Sequence, residues 1–477
     1  LTRSSAASDV YKRQIKRGVN MIFTGWESPL ALLKYELVQL EYEGVQVPKE
    51  IAKRVTCLDD ESHKMDFDLV DEIYSDLNNL KVSSSFPYEQ PYTLTEIKKA
   101  RPSGPRRFDS IEDKDLLDKF HGAWTGRAVG CALGKPVEGM GIRGQKGLIG
   151  RAAIKEYLKN RNHWPLDYYF SGEDVGDDFV VYCPNSQREN IAFMEPDDDI
   201  HYTLIALAIM EKYGAEFTWR HIAHTWNSCL PYNVICTAES QAILNYNNAS
   251  PRSTASDWVT PEYTSLNRNP YREWIGAQIR ADGWGYGCAG NPELAAEFAY
   301  RDACWTHRAN GIYGEMMFAA IIAGAFNVSD PIELIKIGLS EIPSNCKLAE
   351  ACMQAIEKMK VKKDFYSYMD WVEEDFGDLN GVHTVNNALV VIGALFYGEL
   401  DFHRSVCFAV EGGWDTDCNG ATCGSILGAV HGLSNMESTM IPPLNDTIKP
   451  SVIGFQEITM KELAKRTFDV HCSIKNS

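Results

Sequence analysis

At 477 residues the chain is long enough to bury one large core or two modest ones. Hydrophobic residues at 44% and charged residues at 23% are ordinary globular values, and a net charge of −18 opposes non-specific binding to nucleic acid or anionic membrane, which needs basic surface. The 13 cysteines form no Cys-x-x-Cys pair and fit buried thiols in a reducing compartment better than a disulfide framework or a zinc site. No segment is long and apolar enough to span a membrane and no signal peptide is visible, so the expected location is cytoplasmic.

Taken in order, residues 1–14 (LTRSSAASDVYKRQ) resemble translated adapter sequence and are expected to lie outside the fold. Residues 15–81 read as a small helical unit of three helices. Leu30, Leu33, Leu37 and Leu40 recur at helical spacing, Gly44 and Pro48 punctuate, and Ile51 and Val55 resume on one face. The acids between Asp59 and Asp76 suit a solvated face. Residues 82–108 mix Ser, Pro and Gly with Lys98, Lys99, Arg101, Arg106 and Arg107, and read as a linker. The main domain is expected over 109–477. It opens with a helix through Leu116, Leu117, Phe120 and Trp124, for which Ser110, with Asp113 three residues later, is a candidate cap. Glycine recurs there every fourth residue, at Gly122, Gly126, Gly130 and Gly134, before Pro136 stops the helix and Glu138 follows in the exit loop.

Residues 164–195 hold short β-prone runs amid Gly, Asp and Pro, and read as an irregular loop. The run Glu195-Pro-Asp-Asp-Asp-Ile200, followed by Leu204, Leu207, Met210 and Gly214, marks a helix over about 197–213 with Pro196 at its first position. Adjacent acids at a helix start also match the helix dipole on a solvated face, so alone they do not specify a metal site. Further helices are expected near 220–226, 238–245, 292–305, 313–325, 346–359 and 385–395, and strand patterns are sparse. The fold class is all-α.

The stretch from Glu411 to Gly432 organises the rest. Asp415 and Asp417 stand two residues apart beside Gly412 and Gly413, and glycine then recurs at 420, 424, 428 and 432. This reads as a cation-holding loop running into a helix packed closely on a neighbour. The two glycine-striped helices can face each other or each meet a different neighbour, and glycine spacing alone favours the second arrangement. A calcium loop starting at Asp415 needs Glu at its twelfth position, which is Ile426, so that reading fails.

If Glu138, Asp198, Asp199, Asp415 and Asp417 share one pocket, each like-charge pair at ~4 Å costs about 4 kcal/mol at an effective dielectric of roughly 20. Divalent cations relieve that more simply than several protons, and oxygen ligands suit Mg²⁺, Ca²⁺ or Mn²⁺ rather than zinc.

Residues 412–421 (GGWDTDCNGA) resemble the C-terminal metal motif of the ADP-ribosylglycohydrolases, the dinitrogenase-reductase-activating glycohydrolase-like enzymes. The likeness covers roughly residues 109–432. It implies that the distant acids meet around two Mg²⁺, with Mn²⁺ possible, and that Asp197, Asp198, Asp199, Asp415 and Asp417 form the metal set. Asp197 stands where better-known members have Thr, and Cys418 where they often carry Thr. Glu138 ends a segment, from Gly122, that resembles the family's first one, and is the implied catalytic residue. Residues 275–285 resemble the segment that contacts ADP-ribose: Gly276, Gly283 and Gly285 would offer backbone N–H groups, Trp284 and Tyr286 would stack on adenine, and His307 would lie near the nucleotide. The implied activity is hydrolysis of the N- or O-glycosidic bond of ADP-ribose on a protein side chain or small acceptor, without nucleic-acid or membrane partners. The alternatives are another Mg²⁺-dependent glycosidase or nucleotide hydrolase on this scaffold, or a non-catalytic ADP-ribose-binding member.

Overall fold

The computed structural model describes residues 26–58, 65–249 and 259–476. The stretch at 1–14 and part of the acidic run from Asp59 lie outside them. The chain divides into two units, Leu1–Phe86 with Asn267–Tyr271, and Pro87–Leu266 with Arg272–Ser477.

In the smaller unit, Pro29–Tyr42, Lys49–Thr56 and Phe67–Asn78 are helices. Leu30, Leu33, Ile51, Val55, Val70, Ile73 and Leu77 form their core. The 267–271 segment joins them through an Arg268–Asp71 ion pair, and the Arg268 guanidinium lies 4.9 Å from the Tyr74 ring centre.

The larger unit is built of helices joined by loops, with residues 161–197 largely irregular as expected, and among the described residues its strands are a minimal antiparallel pair, Thr447–Ile448 with Ile458–Thr459. It is all-α, as the periodicities predict. Expected helices appear as Asp198–Tyr213, Trp219–Cys229, Thr237–Ala249, Pro292–Ala303, Ala309–Ala325, Lys347–Met359 and Thr384–Tyr397. The stretch read as a linker carries a further helix, Leu94–Ala100, opened by a Thr93–Glu96 capping box. Among the described residues no helix is long and apolar enough to cross a membrane.

Three local expectations need correcting. The helix Asp113–Gly134 takes Glu112 as its N-cap without a side-chain hydrogen bond, so Ser110 does not cap it. Pro136 belongs to a single 3₁₀ turn, Lys135–Val137, and Glu138 then opens a short helix, Glu138–Arg143, rather than lying in a loop. Pro196 precedes the Asp198–Tyr213 helix, whose cap is Asp197.

The glycine stripes face each other. A Cβ built on Gly122 would meet the Gly428 carbonyl oxygen at 2.6 Å. On Gly126, Gly130 and Gly134 it would press still closer on the carbonyls of Gly424, Gly420 and Thr416. Backbone therefore runs against backbone along the helices Asp113–Gly134 and Thr416–His431. Matched four-residue spacing on both helices makes that continuous contact possible, and it overturns the expectation of separate neighbours. The consequence is positional: the end of one helix at Gly134 meets the start of the other at Thr416, whose Oγ1 donates to the Gly134 carbonyl at 2.8 Å. Glu138 and Asp417 are brought into one place by this seam.

Candidate metal centre

Asp415 reaches the centre through a tight approach turn. Gly413 (φ +77°) and Trp414 (φ +53°) are both left-handed, and the Trp414 N–H donates to the Gly141 carbonyl at 3.1 Å, tying the turn to the Glu138 helix. The Asn387 side-chain oxygen then accepts from the Asp415 N–H at 3.1 Å and from Asn419 Nδ2 at 2.8 Å. Asp417 sits in the first turn of Thr416–His431, where its Oδ1 accepts from the Cys418 N–H at 3.1 Å. From the third element, Asp197 caps its helix by accepting from the Asp199 N–H at 3.0 Å.

These segments converge. Ligand atoms of Glu138, Asp415 and Asp417 lie within 4.8 Å of one another, as do those of Asp199, Asp417 and Cys418, and those of Cys131, Asp197 and Asp199. Asp199 is fully buried, Asp415 and Asp417 nearly so, and Glu138 and Asp198 keep partial exposure.

The charges are unbalanced, and the proton affinities register it. Repulsion from Asp417, then burial, holds the Glu138 carboxyl well above its usual range. Burial, then Asp197 and Asp417, pushes Asp198 up to about 8. Burial with Asp197 beside it lifts Asp417 to about 6, and burial with Asp417 beside it raises Asp415 well above the ordinary value. Asp199 is raised by burial against the opposing pull of Arg127. Asp197 is the exception. Burial would raise it, but Lys135 and the Asp199 N–H outweigh that and hold it low.

Asp197 differs from the other acids of the expected metal set in its partners. Its Oδ2 pairs with Lys135 Nζ at 2.9 Å while Oδ1 holds the helix cap, so both oxygens are already engaged. The remaining acids suit a divalent cation. They are hard oxygen donors in excess over nearby cations, and Asp415 Oδ1 is buried without a hydrogen-bond partner.

Four positioning residues escaped the sequence. Arg127, fully buried, donates to the Asp199 carbonyl at 2.8 and 2.6 Å and pairs with Asp199 Oδ1 at 3.1 Å and Asp282 Oδ2 at 2.7 Å. A lone charged residue in the run from Ala123 to Gly134 was the available signal. Lys135, Glu239 and Asn387 carried no local signal; Glu239 is buried and acts electrostatically on Asp198.

The expected ADP-ribose segment is built differently. Gly283, Trp284, Gly285 and Tyr286 lie inside a buried helix, Ala281–Gly287, rather than in an open loop. A Cβ on Gly283 would meet Ala206 Cβ at 2.5 Å, and one on Gly285 would meet Ile322 Cγ2 at 2.6 Å, so these glycines serve helix packing. Trp284 stacks on Phe217 at 4.8 Å and donates to Asp302 at 3.1 Å. The Tyr286 hydroxyl bonds with Ser425 at 2.6 Å. Neither ring is free to stack on a base. His307 is fully buried, its Nδ1 2.8 Å from the Thr306 hydroxyl, and burial with Arg280 nearby holds it neutral. Gly276 alone of this set keeps partial exposure, with the Glu239 carboxylate where a Cβ would sit.

A solved structure described as an "ADP-ribosylglycohydrolase-related protein complex" is similar over 76% of this chain and 99% of its own, at 17% identity and a TM-score of 0.47. No curated protein matches the chain. The model of the ADP-ribosylglycohydrolase family matches residues 112–473, from the first glycine-faced helix almost to the end of the last helix. The chain belongs to the ADP-ribosylglycohydrolase family.

Proposed function

We propose that the protein is a divalent-metal-dependent hydrolase that cleaves the N- or O-glycosidic bond between ADP-ribose and a protein side chain or small acceptor. The observation that carries this reading is the convergence of Glu138, Asp415 and Asp417 within 4.8 Å in a member of this family. Asp198, Asp199, Asp415 and Asp417 would hold two cations, Mg²⁺ or Mn²⁺, beside Glu138. Bound there, they supply positive charge that neutralises the pocket and polarises the reacting centre. The chain's own residues do the rest. Arg127 and Asn387 fix Asp199 and Asp415 from behind. Lys135 occupies Asp197, while the next residue, Asp198, lies close enough to Asp197 and Asp417 for their charge to raise its proton affinity. Glu138, partly exposed at a helix start and with its proton affinity raised by Asp417, suits the general base that takes a proton from water. Gly276, which keeps partial exposure, is the point of the expected nucleotide segment at which we place the substrate.

The test is release of free ADP-ribose from arginine-, serine- and small-molecule-linked substrates, with and without EDTA. Release from at least one class, lost with EDTA, supports the reading. No release from any class by folded, Mg²⁺-loaded protein contradicts it. Free ADP-ribose should also raise the thermal midpoint, more with Mg²⁺ present, since a ligand at a hundredfold excess over Kd adds about 2.7 kcal/mol.

A further inference from the structure

The carboxylate pocket changes chemical character along its length. At the Glu138 end, Glu138, Asp415 and Asp417 offer oxygen only. Towards the interior, Asp417 also belongs with Asp199 and Cys418, and Asp199 in turn with Cys131 and Asp197. The two thiols come from the two glycine-faced helices, one from each, and the backbone seam between those helices brings both to Asp199.

The two sulfur-containing groups differ in what they have left to give. In the deeper one, Asp197 is taken by Lys135 and its own helix cap. Cys131 is completely buried there. In the other, Cys418 Sγ lies 3.1 Å from Asp199 Oδ2 and donates its proton to it. Replacing that proton by a cation would free both the sulfur and the Asp199 oxygen for the same ion. Asp417 supplies the third ligand atom of this group, all within 4.8 Å of one another, and it also joins the neighbouring group with Asp415, whose Oδ1 is buried without a hydrogen-bond partner.

We propose that the Asp199–Asp417–Cys418 position takes a thiophilic divalent cation of the Zn²⁺ type, bound through the Cys418 sulfur, while the Glu138–Asp415–Asp417 position takes a hard cation such as Mg²⁺. The inference rests on the pocket being a cation site and assigns its two positions different chemistries. Thiolate selects Zn²⁺ over Mg²⁺, and carboxylate alone does not. The step is a simple exchange: the sulfur–proton bond breaks, the proton leaves to solvent, and a sulfur–metal bond forms without change of oxidation state. Because Asp417 belongs to both groups, occupancy of one position sets the ligand available to the other.

The experiment uses chelator-stripped full-length protein given one equivalent of Zn²⁺ and read by X-ray absorption at the zinc edge. A sulfur neighbour is expected in the wild type and in Cys131→Ala, and its loss in Cys418→Ser. Competition with a chromogenic chelator should show Zn²⁺ affinity at least ~10-fold weaker in Cys418→Ser, the low end even for disturbed outer-shell partners. Asp415→Asn should weaken Mg²⁺ binding and keep the zinc–sulfur signal. An oxygen-only shell in the wild type overturns the proposal, as does a sulfur signal unchanged in Cys418→Ser or lost in Cys131→Ala. Should Cys418→Ser not fold, Cys418→Thr replaces it with the same expected and overturning results. An oxygen-only shell together with normal Mg²⁺-dependent ADP-ribose release counts against this proposal alone. A zinc–sulfur shell with no release counts against the hydrolase reading alone.

Discussion

The carboxylates around Arg280 and those around Asp417 are both buried in the larger unit, yet they are balanced by different means. Arg280 reaches Asp302 at 2.9 Å and Glu315 at 3.3 Å and also pairs with Glu239, and every member of this group is almost fully enclosed. One guanidinium serves three acids there, and burial supplies the rest of the balance by pushing Glu239 up to about 7 and holding Glu315 well above its usual range. Around Asp417, Lys135 is committed to Asp197, and Arg127 divides itself between Asp199 and Asp282. Glu138, Asp198, Asp415 and Asp417 have no ion-pair partner among the described residues, and Glu138 and Asp198 reach solvent. The contrast separates structure from site. An enclosed acid group that shares its own guanidinium and buried protons holds the fold, whereas one that opens on solvent with acids lacking any ion-pair partner is fit to bind a cation.

The contrast can be broken from either side. The largest expected effect is on the enclosed group. Arg280→Met leaves Glu239, Asp302 and Glu315 without their cation, and should cost about 3–5 kcal/mol of stability, the range for a buried pair stripped of one partner. Denaturant unfolding reads this directly, and a loss below about 1 kcal/mol would mean that the three acids are held some other way.

Next is Glu138→Gln in the open group. Turnover should fall by at least ~10²-fold, the low end for a lost general base, while the melting temperature and most cation binding stay close to wild type. Near-normal turnover in well-folded protein would return Glu138 to the role of a residue after a helix stop.

The smallest effect sharpens the comparison with a third case, a carboxyl balanced by a proton alone. Burial pushes Glu411 up to about 7, although it accepts from the Leu166 N–H at 2.6 Å and the Tyr366 hydroxyl at 2.8 Å. The folded chain thus keeps a proton that the unfolded chain releases nearer the ordinary carboxylate value. Stability from this group is therefore lost as pH rises through that window. Between pH 5 and 7 the wild type should lose about 2 kcal/mol more than Glu411→Gln. Parallel stability–pH curves for the two proteins would remove the effect.

How far the sequence led depends on the range of each contact. Asp197–Asp199 and the Asp415/Asp417 pair are neighbours in the chain at element starts, so their clustering was visible in one dimension. The helices were legible too, from apolar spacing closed by residues such as Gly214 and Gly432. Whether the glycine stripes met was not, because glycine spacing permits a close approach without naming the partner. Arg127, Lys135, Glu239 and Asn387 act across the fold, and only Arg127 looked out of place locally. The segment at 283–287 misled for a definite reason. Alternating Gly283, Gly285 and Gly287 lowers helix propensity and resembles a loop. Contacts with Ala206, Ile322 and Met210, which glycine alone admits, make it a core helix.

The central claim is that the pocket around Asp417 is a cation site, and calorimetry of chelator-stripped protein titrated with Mg²⁺ or Mn²⁺ tests it most directly. The account predicts saturable binding in the wild type, sharply weakened in Asp417→Asn and unchanged in Asp302→Asn, which alters only the Arg280 group. No binding of either cation in any buffer, or the same isotherm in Asp417→Asn as in the wild type, would contradict it.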